Sequence, residues 1–162
     1  MDEKKNLTTK EAFALAVQNH QKNNLKVAEN LYKETLKINP NHVDAHNNLG
    51  IIFKELGELQ KAVDCYQKVI QIQPEDAYAH YNLGLVFKEL GELQKAVDCF
   101  QKVIQIKPDR VEDAHVSLGL IFKELGEPQK AISCYEKAIN IKPDYTQAYS
   151  NFSFEKLVVN MI

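Results

Sequence analysis

The chain has 162 residues, with 20 basic and 22 acidic side chains and a formal net charge of −2. A chain of this length can bury its own core, and its near-neutral charge gives no overall field that favours a nucleic-acid backbone or an anionic membrane. The first residues contain no apolar run of signal-peptide length. No stretch of the sequence approaches the roughly 18 apolar residues that a membrane span requires. We therefore expect a cytoplasmic protein with no nucleic-acid partner and no membrane partner.

One sequence unit is repeated along the chain after a polar stretch, residues 1–8, which we predict to be an N-terminal tail. The segment FKELGELQKAVDC occurs twice without change, at 53–65 and 87–99, and most positions of 43–76 are identical in the next unit. A fixed period of this size is typical of a stacked array. The predicted units are 9–42, 43–76, 77–111 and 112–145, and residues 146–162 are predicted to be a capping helix or the first helix of a truncated fifth unit.

Each unit contains two predicted amphipathic helices. In the second unit Leu49 and Phe53 recur at helical spacing, and so do Ala62 and Tyr66 after a glycine. The glycine that follows each first helix suits a left-handed turn, and a proline follows each second helix. These positions are Gly57, Gly91 and Gly126, and Pro74, Pro108 and Pro143. The pattern predicts an all-α fold of four antiparallel helix pairs and one final helix.

These landmarks resemble the tetratricopeptide repeat. A Leu-Gly pair, an aromatic residue three positions after the glycine, alanine nine later, an aromatic four later and proline eight after that recur over about residues 9–143. His46, His80 and His115 stand where the family often has a large aromatic residue. The resemblance implies a right-handed superhelical array, a tetratricopeptide repeat solenoid, whose first helices line a concave groove.

The side of each first helix that faces away from Leu49 and Phe53 carries the candidate binding residues. They recur at three- and four-residue steps, so we expect them to point out of the helix pair, and the resemblance places them in the groove. The predicted groove residues are Asp44, Asn47, Asn48, Ile51, Tyr78, Tyr81, Asn82, Leu85, Asp113, Val116, Ser117 and Leu120. Ile51, Leu85 and Leu120 form a predicted apolar stripe beside two tyrosines, which is typical of a binding face.

Three asparagines recur at one position of this predicted groove. Asn48, Asn82 and Asn151 each precede the Leu-Gly pair or its equivalent, and Ser117 interrupts the series. The arrangement is similar to the tetratricopeptide superhelix of O-linked N-acetylglucosamine transferases, in which such asparagines bond the backbone of an extended peptide. An amide side chain offers a donor and an acceptor to a peptide unit, so the resemblance implies a peptide-binding ladder.

No residue pattern indicates catalysis or metal binding. His42 and His46 are four residues apart but lack a third ligand. Cys65, Cys99 and Cys134 occur one per unit, and nothing in the sequence singles out one of them as a nucleophile. We therefore expect no enzymatic activity, no catalytic residue, no metal and no cofactor.

The end of the chain is unusually apolar. Phe154, Val158 and Ile162 lie at four-residue steps on one predicted face of the last helix, which a lone capping helix would leave in water. An apolar face of this kind favours a partner. We expect these three residues to mediate self-association into a homo-oligomer.

Three functions are compatible with these patterns. The leading hypothesis is a non-catalytic interaction module or scaffold that binds a protein or peptide ligand in its groove. The alternative is the substrate-recruiting repeat region of a larger bacterial-type glycosyltransferase or sulfotransferase. A helical-repeat RNA binder is the remote alternative, because the charge is slightly negative and only one step along the array has the longer spacing of such proteins.

Overall fold

The computed structural model describes residues 7–106 and 111–161, where the chain forms nine α-helices and no strand. The all-α prediction is confirmed. The helices are α1 (Thr9–Gln21), α2 (Leu25–Ile38), α3 (Val43–Glu55), α4 (Leu59–Ile72), α5 (Ala77–Glu89), α6 (Leu93–Ile106), α7 (Val111–Glu124), α8 (Pro128–Ile141) and α9 (Thr146–Asn160). They divide between two compact units, residues 1–79 and 80–162. Pro108 and Ile162 lie outside the described residues.

Local sequence signals set where the helices begin and end. Thr8 and Glu11 form a reciprocal capping box at the start of α1, in which the Thr8 N–H donates to the Glu11 carboxylate at 2.9 Å. Helix α3 ends at a left-handed residue, Gly57, with φ +72°, and the Glu58 N–H donates to the Phe53 carbonyl at 2.8 Å. This closing turn needs positive φ, which glycine adopts without steric cost, and so it explains the glycine after α3, α5 and α7. After α1 the residue with positive φ is Asn23, at +59°.

The first unit is built by packing each helix against the next one, from α1 to α4. Ala45, Leu49, Ala62 and Tyr66 are buried between α3 and α4. Gly50 faces the Tyr66 ring so closely that a Cβ there would lie 2.8 Å from Cζ of the tyrosine. The missing side chain therefore lets the two helix backbones approach.

The second unit repeats this packing and adds the last helix. Helix α7 packs on α6 and α8, and α9 packs on α8 and contacts α7. One buried cluster joins α7, α8 and α9, and Leu120 and Phe152 are packed against it. The cluster consists of Val116, Ala131, Tyr135, Ala138 and Ala148. Helix α9 is thus held by the same kind of apolar contact that joins the helix pairs.

Candidate functional site

The first unit places four of the predicted groove residues on α3. Asp44 is exposed and Ile51 is half-buried, whereas Asn47 is buried. Asn48 is half-buried, and its amide lies against the hydroxyl of Tyr32, whose pKa is raised mainly by burial. Tyr78, at the end of this unit, is 46% exposed and is the most accessible aromatic residue of the predicted set.

In the second unit, three predicted groove residues lie on α5. Tyr81, Asn82 and Leu85 are all half-buried. The Tyr81 ring packs edge-to-face on the buried ring of Phe100, with centroids 5.4 Å apart. This contact orients Tyr81 before any ligand arrives, because an edge-to-face aromatic pair has a preferred geometry.

Helix α7 carries the other four predicted residues, and two of them are not accessible. Leu120 and Asp113 are half-buried, but Val116 is 3% exposed and Ser117 is 7% exposed. Asn47, at the position of Val116 in the first unit, is buried to the same degree as Ser117. Asn47, Val116 and Ser117 are thus buried, and the groove assignment of the twelve residues stays a prediction. A neighbouring helix explains this burial for Val116, whose cluster includes Ala148 of α9.

The sequence patterns did not indicate the contact that Tyr145 makes. Its hydroxyl donates to the Asp113 carboxylate at 2.5 Å, across 32 residues of sequence. Burial, followed by the hydrogen bond to Asp113, raises the pKa of Tyr145. The bond ties the start of α9 to the start of α7, so Asp113 has a structural partner at the edge of the candidate face.

In the described residues, two asparagines of the predicted ladder have buried amide nitrogens. The amide nitrogens of Asn82 and Asn151 are buried and have no hydrogen-bond partner there. Each asparagine comes one helix after a tyrosine, whereas Ser117 comes one helix after Phe100. The tyrosine and asparagine pairs are Tyr32 with Asn48, Tyr66 with Asn82 and Tyr135 with Asn151. In the sequence the asparagine thus follows a helix that carries a tyrosine, and the peptide-binding ladder stays a prediction.

Helix α9 exposes a set of large apolar side chains. Phe154 is 55% exposed, Leu157 61% and Met161 79%, while Val158 is half-buried. The Lys123 ammonium lies 4.2 Å from the centroid of the Phe154 ring. Of the three residues expected to mediate self-association, Phe154 and Val158 are therefore at least partly accessible, and Ile162 is outside the described residues.

Phe154 also continues the register of the candidate face. When the repeats are aligned, Leu85, Leu120 and Phe154 hold one position on α5, α7 and α9. We call these three residues of the second unit the apolar row. The row joins two half-buried residues of the predicted groove, Leu85 and Leu120, to the exposed Phe154.

The cysteines have the properties of packing residues. Cys65, Cys99 and Cys134 are buried, and burial raises the pKa of Cys65 and of Cys99 to about 12. A thiol in this state carries almost no thiolate at neutral pH. Within residues 7–106 and 111–161, no cluster of three His, Cys, Asp or Glu side chains could hold a metal ion.

No helix in that part of the chain combines the length and apolar character that crossing a membrane needs.

The architecture is that of a helical repeat protein built from short antiparallel helix pairs. Models of the tetratricopeptide repeat match residues 31–64, 77–110 and 112–145, and a further TPR repeat model matches residues 50–91. The chain belongs to the tetratricopeptide repeat family, and its fold is consistent with a protein-interaction scaffold. A search of curated proteins gave no match.

Solved structures agree with this family. The crystal structure of a MamA protein is 31% identical, with a TM-score of 0.84 over 91% of this chain and 80% of that one. MamA from Desulfovibrio magneticus RS-1, from residue 41 to its end, is 21% identical, with a TM-score of 0.80 over 88% and 79%. PilF of Pseudomonas aeruginosa is 19% identical, with a TM-score of 0.82 over 94% and 69%. The last two likenesses show the shared fold alone.

Proposed function

We propose that the protein is a non-catalytic interaction module that binds a peptide segment of a partner protein on the face of its first helices. The observation that carries the proposal is the apolar row of the second unit, Leu85, Leu120 and Phe154, beside the oriented ring of Tyr81. Accessible apolar and aromatic side chains at regular spacing suit the apolar side chains of an extended or helical peptide.

Binding energy is expected to come from Tyr81 and the apolar row. Buried aromatic and apolar anchors usually dominate interface energies, and Tyr81 loses little freedom on binding because Phe100 already orients it. The asparagines contribute less in this proposal, since the amide nitrogens of Asn82 and Asn151 face inward.

The test of this assignment uses a peptide that is selected from a random display library for binding to the intact chain. Calorimetry then measures the affinity of this peptide for the wild type and for each variant. We expect the double substitution Tyr81→Ala and Leu85→Ala to weaken binding at least tenfold, in line with a loss of about 1–2 kcal/mol for anchor residues. The pair Asn48→Ala and Asn82→Ala should weaken it less. Gln60→Ala with Gln94→Ala is the matched control, because both glutamines are exposed on second helices.

The order of the two double variants decides between the apolar row and the asparagine ladder. If the asparagine variant loses more affinity than the Tyr81 and Leu85 variant, the ladder carries recognition and the proposal is wrong about the anchor. If neither variant differs from the glutamine control, peptides bind elsewhere and the candidate face is rejected. Circular dichroism of each variant shows whether the helices are retained.

We also propose self-association through α9. Leu157 and Met161, outside the apolar row, expose more than half of their surface, which is unfavourable in water and is relieved by a second copy of the helix. Leu157→Glu with Met161→Glu should give a monomer in light scattering while leaving peptide binding intact, because neither residue lies in the apolar row. A monomeric wild type at high protein concentration would contradict this proposal and leave the peptide proposal standing.

A further inference from the structure

The second unit contains a cavity that is separate from the candidate peptide-binding face. It has a volume of about 330 Å³ and lies where α6, α7 and α8 meet. Leu118 and Phe122 of α7 line it, whereas the apolar row uses Leu120 of the same helix. This volume is within the range of small-ligand sites.

One buried polar side chain in the cavity lacks a partner. His115 lines the cavity and is 9% exposed, and its Nδ1 has no hydrogen-bond partner in the described part of the chain. Burial, followed by the positive charge of Lys137, lowers the pKa of His115, so the imidazole is neutral at pH 7. Nδ1 is itself enclosed by the protein, so a ligand in the cavity meets the part of the neutral imidazole ring that lines it.

The other polar groups of the cavity are a cation and two amides. Lys137 and Gln105 line it together with Gln101, and no carboxylate is among the described lining residues. Ile104 adds to the apolar wall formed by Leu118 and Phe122. A group that fits here is negatively charged, accepts hydrogen bonds and is attached to an apolar stem.

The sequence repeats the polar set of the cavity. The histidine, cysteine and lysine recur at His46, Cys65 and Lys68, at His80, Cys99 and Lys102, and at His115, Cys134 and Lys137. A glutamine pair precedes the second and third sets, at Gln67 and Gln71 and at Gln101 and Gln105. In α8 this pair becomes Glu136 and Asn140, and α9 has Tyr149 at the histidine position. The glutamine pair thus precedes two of the three histidines, and Lys33 and Lys37 hold its place before His46.

We propose that this cavity is a binding site for a carboxylate carried on an apolar stem. The Lys137 ammonium and the amides of Gln101 and Gln105 bind the carboxylate, and the ligand lies against the His115 ring. Ile104, Leu118 and Phe122 contact the stem. Two sources offer this chemistry, a small organic acid and an acidic side chain of a partner peptide.

NMR titration of the histidine imidazole resonances in the full chain tests the site, with His115→Gln identifying the signal of His115. Hexanoate is the small-acid probe, with hexan-1-ol as its uncharged control. Acetyl-Leu-Glu-Leu-amide is the peptide probe, with its glutamine counterpart as control. We expect the His115 signal to move saturably with at least one acidic probe and at least tenfold more weakly with the matching neutral probe.

Lys137→Gln should weaken binding of the acidic probe about tenfold, because it removes one charge-assisted hydrogen bond. Lys142→Gln, directly after α8, is the control and should leave binding unchanged, because Lys142 lies over the ring of Tyr145, which does not line the cavity. Tighter binding of hexanoate assigns the site to a small acid, and tighter binding of the peptide assigns it to an acidic side chain. No saturable shift with either acid, equal binding of the neutral probes, or an unchanged affinity in Lys137→Gln would overturn the proposal.

Discussion

Helix α2 of the first unit and helix α6 of the second unit hold the same place in the repeat, but they bury different side chains. Glu29 stands at the position of Val97, and Thr35 stands at the position of Val103. All four are buried, and Glu29 is only 2% exposed. The first unit therefore places a carboxylate and a hydroxyl where the second unit has two valines.

Each of the polar residues in α2 is bonded. The Thr35 hydroxyl donates to the Leu31 carbonyl at 2.9 Å. The Glu29 carboxylate accepts from Lys33 at 2.6 Å and from Lys26 at 2.9 Å, and both lysines reach it from the solvent side. These two buried positions therefore accept any side chain that fills the space and leaves no polar atom without a hydrogen bond. A valine does so because it has no polar side-chain atom, and Glu29 and Thr35 do so because their polar atoms are bonded.

The largest effect is expected at the contact that the two units share, between a glycine and an aromatic ring. A Cβ at position 119 would lie 2.7 Å from Cδ1 of Tyr135, which is fully buried and has little room to shift. Gly119→Ala should lower the free energy of unfolding by about 3 kcal/mol, the upper part of the range for overpacking. Gly50→Ala should cost about 2 kcal/mol, since Tyr66 meets the new atom at a slightly longer distance.

Urea denaturation followed by circular dichroism measures these losses. Gly126→Ala is the control, because a Cβ there has open space around it and only the positive φ opposes the change. It should cost about 1 kcal/mol. A larger loss at Gly126 than at Gly119 would show that turn conformation, and not the helix contact, limits stability.

An intermediate effect is expected at Glu29, where the two units differ. Hydrogen bonds from Lys33 and Lys26 lower the pKa of Glu29, so its ionised form stabilises the folded state. Glu29→Gln should lower the free energy of unfolding by about 2 kcal/mol at pH 7. The contribution is complete above the ordinary glutamate pKa, about 4.3, and is lost as the pH falls through the lowered pKa of the folded state.

Unfolding curves between pH 7 and pH 3 check this dependence, and the difference between wild type and Glu29→Gln should shrink at the acid end. Glu34→Gln removes an exposed pair with Lys37 and should change stability by no more than about 0.5 kcal/mol. Glu29→Val, which copies the second unit, should be neutral or stabilising. A pH-independent difference would contradict the role assigned to the ionised carboxylate.

The smallest effect is expected from removing a tyrosine hydroxyl. The Tyr135 hydroxyl is buried without a partner in the described residues, and Phe100 holds the same position one repeat earlier. Tyr135→Phe should therefore leave stability unchanged or raise it by up to about 1 kcal/mol. Tyr145→Phe is the matched control in the same unit and should destabilise, because it removes the bond to Asp113. Equal losses in both variants would show that Tyr135 also has a partner, with Asn151 as the candidate.

The helices and their ends were predictable because they depend on short-range signals. Helical spacing places Leu49 and Phe53 on one face, and Gly57 and Pro74 end the two helices of that unit whatever lies around them. The same holds for the inward position of Ala62 and Tyr66. These features follow from residues within one turn or one helix of each other.

The accessibility of the candidate site was predictable only in part. Periodicity identifies the face that packs inside a helix pair, but a first helix in an array has a second face that neighbouring helices cover. Val116 and Asn47 lie on that covered face, and a single helix pattern does not distinguish it from an exposed one. The bond between Asp113 and Tyr145 depends on the meeting of two helices that are distant in sequence, so no local pattern indicates it.

The short reach of the contacts inside each unit determines how quickly that unit can form. Helices pack on the next helix along the chain, and even the bond from Tyr145 to Asp113 closes a loop of only 32 residues. Low contact order of this kind allows folding within microseconds to milliseconds, whereas synthesis at roughly 5–20 residues per second takes seconds to deliver one repeat. During translation the first helix pair can therefore form and open many times before the helix that covers it is made, because one pair alone cannot bury its apolar face. The capping box at Thr8 and the bonded Glu29 satisfy polar groups of this pair each time it forms.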